Sequence, residues 1–196
     1  VRLKASGIDV EVLTAMPNYP KMEIMEAYRK GAIREETIDG VSVRRSKIYV
    51  SNSKKIIPRL LNYFSFVWTS YWKGRSYKDV DYLMVESPPL FLGYSAMALS
   101  KKLKAKMIFN VSDLWPESAE KMGIVTNSTM LKMAYKLEKK CYNRAYLVTG
   151  QTMGIVDNIR SRFPETNLYW LPNGVDVSFY DPSKISPSGF REAIGA

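Results

Sequence analysis

The sequence predicts an α/β fold, a mostly parallel sheet with helices on both faces. Short apolar runs such as "DYLMVE", "KMIFNV" and "YLVTG" alternate with longer segments of helical periodicity. Strands that alternate with helices form right-handed βαβ units, whose strands run parallel. The composition, 46% hydrophobic and 24% charged over 196 residues, suits one good-sized domain with an ordinary core.

"VRLKASG" reads as the last turn of a helix capped by Gly7, so the chain is expected to continue upstream of Val1. "IDVEVLTA" reads as a buried strand from Ile8 to Leu13. Met16 to Arg34 is irregular, with Pro17, Pro20 and Gly31, and holds a short helix in "MEIMEAYRK". "REETIDGVSVRRSKIYV" has the pattern of a hairpin turning at Asp39-Gly40. Residues 55–73 form a long aromatic helix. Strand Val80–Val85, helix Pro88–Lys104, strand Lys106–Val111 and helix Thr129–Arg144 follow. Strand Ala145–Thr149, helix Met153–Phe163 and strand Leu168–Leu171 close the fold. The tail "DPSKISPSG" reads as a linker.

Several chemistries are excluded at once. The chain has no histidine, so Ser-His-Asp and Cys-His nucleophiles and His-ligated zinc have no means here. Cys141 stands alone, which rules out an internal disulfide and suits a reducing cytosol. G-x-G-x-x-G and P-loop patterns are absent. A net charge of +10 favours contact with phosphate, anionic lipid or nucleic acid without choosing among them. Lys132, Lys136, Lys139 and Lys140 make one positive helical stripe, and Lys101, Lys102, Lys104 and Lys106 cluster elsewhere.

Ligands of parallel sheets bind beyond the carboxyl ends of the strands. Those ends are Thr14, Glu86-Ser87, Ser112-Asp113, Thr149-Gly150-Gln151 and Asn173-Gly174, polar or small groups suited to sugars and phosphates. Each also has a bland reading. Ser87 and Pro88 suit a helix N-cap and first position. Asp113 could cap a turn at Leu114, Trp115 could cover the sheet edge, and Glu117 could meet a helix N-terminus. Asn173-Gly174 could be a tight turn. The aromatic helix, with Tyr63, Phe64, Phe66, Trp68, Tyr71 and Trp72 flanked by Lys54, Lys55, Arg59, Lys73 and Arg75, packs one face on the sheet. Its remaining face could meet a membrane interface.

In order along the chain, "VEVLTAMPNYP", "AYRKG", "ETIDGVSVRR", "LNYFSF", "ESPPLFLG", "VSDLWPESAEKMGI", "KLEKKCYNRAYLVTG" and "LPNGVDVSFYDP" resemble the N-terminal half of a bacterial glycosyltransferase of family 4. The likeness covers most of residues 8–182. It is to enzymes of surface-polysaccharide synthesis, including fucosyl- and N-acetylfucosaminyl-transferases. The resemblance implies a GT-B fold of two Rossmann-like domains, with acceptor binding on this N-terminal one, residues 1–182. Residues 183–196 would lead to a donor-binding domain with an E-x7-E glutamate pair. It also implies retention at the anomeric carbon with no metal or cofactor, the nucleotide sugar serving as co-substrate. The family's opening strand and glycine-rich loop are not matched, so a sheet of order 3-2-1-4-5 would lack its central strand. This chain alone is therefore expected to be inactive.

On that resemblance Asp113 is the candidate catalytic residue, a contact to the transferred sugar or a proton acceptor. Glu86, Ser87, Ser112, Trp115, Glu117, Thr149, Gly150, Asn173, Gly174, Asn18 and Tyr19 are candidate substrate contacts. A lipid-linked or oligosaccharide acceptor at the cytosolic membrane surface is the expected partner, and nucleic acid is not. Two rivals stand beside this reading: a basic nucleic-acid-binding module, and a GT-B nucleotide-sugar epimerase.

Overall fold

A computed structural model of the chain describes residues 2–31, 34–53, 56–184, 189 and 193. Lys54, Lys55 and most of the expected linker lie outside the described residues. Helix α1 (Arg2–Ala5) ends as its sequence implies. Gly7 takes φ 83° and the Ile8 N–H returns to the Leu3 carbonyl at 3.1 Å.

The first sheet is organised by its hairpin. Strand β1 (Glu11–Ala15) precedes a 3-10 turn at Glu26–Gly31, then β2 (Glu35–Ile38) and β3 (Val41–Ser46). Asp39 and Gly40 hold φ 49° and 78°, the left-handed pair that a two-residue hairpin loop requires. β3 is central, antiparallel to β2 and parallel to β1, and buries Val41 and Val43. Two expectations change here. β1 starts at Glu11 and is mostly not buried, because it pairs on one side only. The short helix is a 3-10 turn instead, broken where Arg29 is extended and Lys30 takes φ 55°.

Helix α2 (Ile56–Gly74) leads to the second sheet, in which every strand runs parallel. Its elements are β4 (Tyr82–Ser87), α3 (Leu92–Leu103), β5 (Lys106–Val111), α4 (Glu117–Lys121), α5 (Ser128–Arg144), β6 (Leu147–Gly150), α6 (Met153–Arg162) and β7 (Leu168–Trp170). The strand order is β4-β5-β6-β7, a Rossmann-like α/β arrangement flanked by helices. Val85, Met107, Phe109, Val111 and Val148 form the core with Ala96 of α3, Leu137 and Cys141 of α5, and Ile155 and Ile159 of α6.

Helix α3 corrects the capping reading of Ser87-Pro88. Ser87 and Pro88 each precede a proline, which pushes the backbone out of the helical region. Ser87 stays in β4, and the helix opens at Leu92 with no side-chain cap.

Among the described residues no strand pairing joins the two sheets. α2 packs on β1, β3 and α3, and α3 packs on β4 and β5, so one helical layer spans both. β1 and β4 are each an edge strand of their own sheet.

Candidate functional site

The all-parallel sheet brings its carboxyl ends into one row. Ser112 N–H bonds the Ser87 carbonyl at 2.9 Å, Gln151 N–H bonds that of Val111 at 3.2 Å, and Leu171 N–H bonds that of Gly150 at 3.0 Å. At that edge Glu86 is the hub. Its Oε1 accepts from Ser112 Oγ at 2.5 Å and Gln151 Nε2 at 3.5 Å. Three adjacent strand ends thus converge on one exposed carboxylate.

Asp113, half-buried, lies next to this cluster. Its Oδ1 accepts from Ser118 Oγ at 2.6 Å, while Oδ2 has no hydrogen bond among the described residues. Among the described residues no backbone N–H bonds the side chain, so Asp113 is not a cap for the turn at Leu114; α4 opens on Pro116 instead. Ser118 is the residue that local sequence reading passes over, since it holds the carboxylate from five positions away.

Other candidates are placed differently. Thr149 is 1% exposed and donates to Asn110 Oδ1 at 2.6 Å, its register partner on β5. That buried polar pair lies in the same lateral row as Glu86, through the pairing Glu86↔Asn110↔Thr149. Asn110 carries a legible signal, a lone amide inside an apolar strand. Ser87 is buried. Gly150 is fixed by packing, because a Cβ there would lie 2.9 Å from Ile155 and Val156. Trp115 is half-buried, edge-on to Phe91 at 6.0 Å.

Glu117 faces α6 rather than the crevice. It accepts from Lys121 at 2.5 Å and Asn158 at 3.2 Å, with Arg162 at 3.8 Å. The Lys121 hydrogen bond leads in holding its carboxyl below the usual range. Asn173 and Gly174 are exposed, neither takes positive φ, and the chain makes no turn at them. The turn falls just beyond, where Asp176 Oδ1 accepts from the N–H groups of Ser178 and Phe179 at 3.0 and 3.2 Å. Asn18 and Tyr19 follow β1 in the other sheet. Asn18 bonds the Met16 carbonyl at 2.9 Å, Tyr19 is exposed, and among the described residues no hydrogen bond links either to Glu86. Among the described residues no cluster of Cys, Asp and Glu could hold a metal ion.

What this arrangement can do is bind hydroxyls: two carboxylates oriented by hydroxyl and amide donors, beside an indole ring that can cover a sugar face. No family model matches the chain. Over 125 residues it is 27% identical to a protein of Escherichia coli (strain K12) assigned as colanic acid biosynthesis glycosyl transferase WcaI. That likeness supports a glycosyltransferase relationship. The match takes in 62% of this chain and 30% of the relative, less than a third of that protein's length.

Proposed function

We propose that this chain is the acceptor-binding part of a retaining, nucleotide-sugar-dependent glycosyltransferase of cell-surface polysaccharide synthesis. The fold would be the N-terminal half of a GT-B enzyme of family 4. The observation that carries the reading is the pair of carboxylates at the strand ends, Glu86 held by Ser112 and Gln151, Asp113 held by Ser118. Glu86 accepts a hydroxyl of the acceptor and fixes its orientation. Asp113 Oδ2 meets the incoming hydroxyl or the transferred sugar. The donor phosphate takes the proton on the same face, so the chemistry needs neither histidine nor metal. A second domain holds most of the donor.

Mutational kinetics on the full-length protein test these roles. Glu86→Gln raises KM for the acceptor and changes kcat little, because it removes binding made equally in ground and transition states. Asp113→Asn lowers kcat by roughly 10²- to 10³-fold, the range for one lost electrostatic contact to the transition state. If both variants fold normally and turn over at wild-type rates, the strand-end site is wrong.

The same reading places the protein on the cytosolic membrane surface. Ile57, Leu61, Phe64, Trp68 and Trp72 are exposed along one stripe of α2, and the Arg75 guanidinium stacks 4.5 Å from the Trp72 ring. No described helix is long and apolar enough to cross a membrane. An apolar stripe beside cations suits an interfacial position on anionic lipid. Liposome sedimentation is expected to show binding to anionic vesicles that weakens with salt and with Trp68→Ala. Equal, salt-insensitive binding to neutral vesicles sinks the electrostatic part. The nucleic-acid alternative has less support, since the tyrosines among the exposed lysines of α5 are engaged, Tyr142 in the core and Tyr135 with Glu120 and Arg162.

A further inference from the structure

Helix α4 carries Ser118, the donor that orients Asp113, and it is only five residues long. A helix so short has little stability of its own in water, so its neighbours fix where it points. Pro116 and Ala119, both buried, set its depth against the core. Glu117 and Glu120 are also three positions apart and share a second face. That face is held by polar partners on two other helices.

Glu117 Oε2 accepts from Asn158 Nδ2 of α6 at 3.2 Å, with Arg162 Nη1 at 3.8 Å. Arg162 is itself pinned. Its guanidinium bonds both oxygens of the fully buried Glu138 on α5 and donates to Asn158 Oδ1 at 3.4 Å. It also lies 5.0 and 5.6 Å from the rings of Phe163 and Tyr135. Tyr135 in turn donates to Glu120 Oε2 at 2.5 Å. Around one guanidinium, α5 and α6 grip α4 at Glu117 and at Glu120.

We propose that Glu117 is a positioning residue for sugar transfer: clamped by Asn158 and Arg162, it sets the rotation of α4 and so, through Ser118, the aim of the Asp113 carboxylate. The inference rests on the transferase reading and gives a role to a residue that faces away from the crevice.

Two observations favour aim over mere attachment. The Lys121 bond to Glu117 lies within α4, so it orients nothing outside the helix, whereas the Asn158 and Arg162 contacts cross to α6. Ser118 also has a competing acceptor. Its Oγ is 2.6 Å from Asp113 Oδ1 and 3.1 Å from the Leu114 carbonyl, with one proton to serve both. Ser118 sits about 100° round the helix from Glu117, so a rotation that releases Glu117 carries the hydroxyl sideways past Asp113. The proton then goes to Leu114 and the carboxylate loses its guide. A misplacement of about 1 Å costs up to about 10²-fold in rate.

Steady-state kinetics of the full-length protein, run as a double-mutant cycle, test this. Glu117→Ala is expected to lower kcat by roughly 10- to 10²-fold and to leave the acceptor KM within about twofold, because Glu86 still holds the acceptor. In the Asp113→Asn background the same substitution is expected to lower kcat no further, since no aimed carboxylate is left to misplace. Glu117→Gln keeps an acceptor for Asn158 at the same size and is expected to retain most of the rate. Asn158→Ala cuts the clamp from the other side and is expected to repeat the fall and the coupling, so the test stands if Glu117→Ala does not fold. An unchanged kcat in both alanine variants overturns the positioning role. So does a loss that lies in acceptor KM, or one that multiplies with Asp113→Asn as general destabilisation would. Those outcomes leave the transferase reading in place. No transfer by the wild-type protein, or wild-type turnover in Asp113→Asn, overturns that reading and this inference with it.

Discussion

Glu138 of α5 has no exposed surface, yet it is an ionisable group on a helix that otherwise displays lysines to solvent. The guanidinium of Arg162 bonds both its oxygens, and the Tyr142 hydroxyl donates at 3.2 Å. Burial pushes the Glu138 carboxyl up, and the Arg162 guanidinium opposes that rise. Removing one member of such a pair strands the other. Glu138→Gln is expected to cost about 3 kcal/mol in urea unfolding, the lower end of the range because Arg162 keeps some contact with water. A loss under about 1 kcal/mol would mean that the pair contributes little. Legibility at this scale follows contact distance. Asp113 was visible as a polar residue after an apolar strand, but its partner Ser118 was not, because no helical or strand period links positions five apart. Thr149 was read as a ligand group. Its bond to Asn110 depends on strand register, which a single segment does not reveal.

Elements were readable where backbone chemistry is local. Asp39-Gly40 allows the left-handed pair of a tight hairpin, and the turn forms there. Gly7 ends α1 for the same reason. Where a cue had two readings, the neighbouring element decided. Ser87-Pro88 looked like a helix start, yet a second proline delayed α3 to Leu92. The approach of α3 to α5 was invisible in sequence and is set by one glycine. A Cβ on Gly93 would fall against the Cys141 thiol in the core. Alanine favours helices over glycine by up to about 1 kcal/mol, while overpacking costs about 1–3 kcal/mol, so the clash wins. Gly93→Ala is expected to lower stability in chemical denaturation, and adding Cys141→Ala to recover part of that loss through coupling. A Gly93→Ala chain as stable as wild type would show that the two helices separate freely.

At the scale of the molecule, the alternation of strands and helices was enough for the α/β class and for strand ends on one edge. The division into two sheets follows from pairing: β1 and β4 each pair on one side only, under a shared layer of α2 and α3. Glu35, Glu36, Glu117 and Glu138 are engaged by Lys73, Arg45, Lys121 and Arg162. The lysine stripe of α5 remains exposed beside them, so the surplus of +10 resides on the surface. The most direct measurement is transfer by the full-length protein from nucleotide sugars to a lipid-linked acceptor, with the product's anomeric configuration read by NMR. Transfer with retention, lost in Glu86→Gln/Asp113→Asn, is the expected result. Inversion, transfer indifferent to that double substitution, or no transfer from any donor would contradict it.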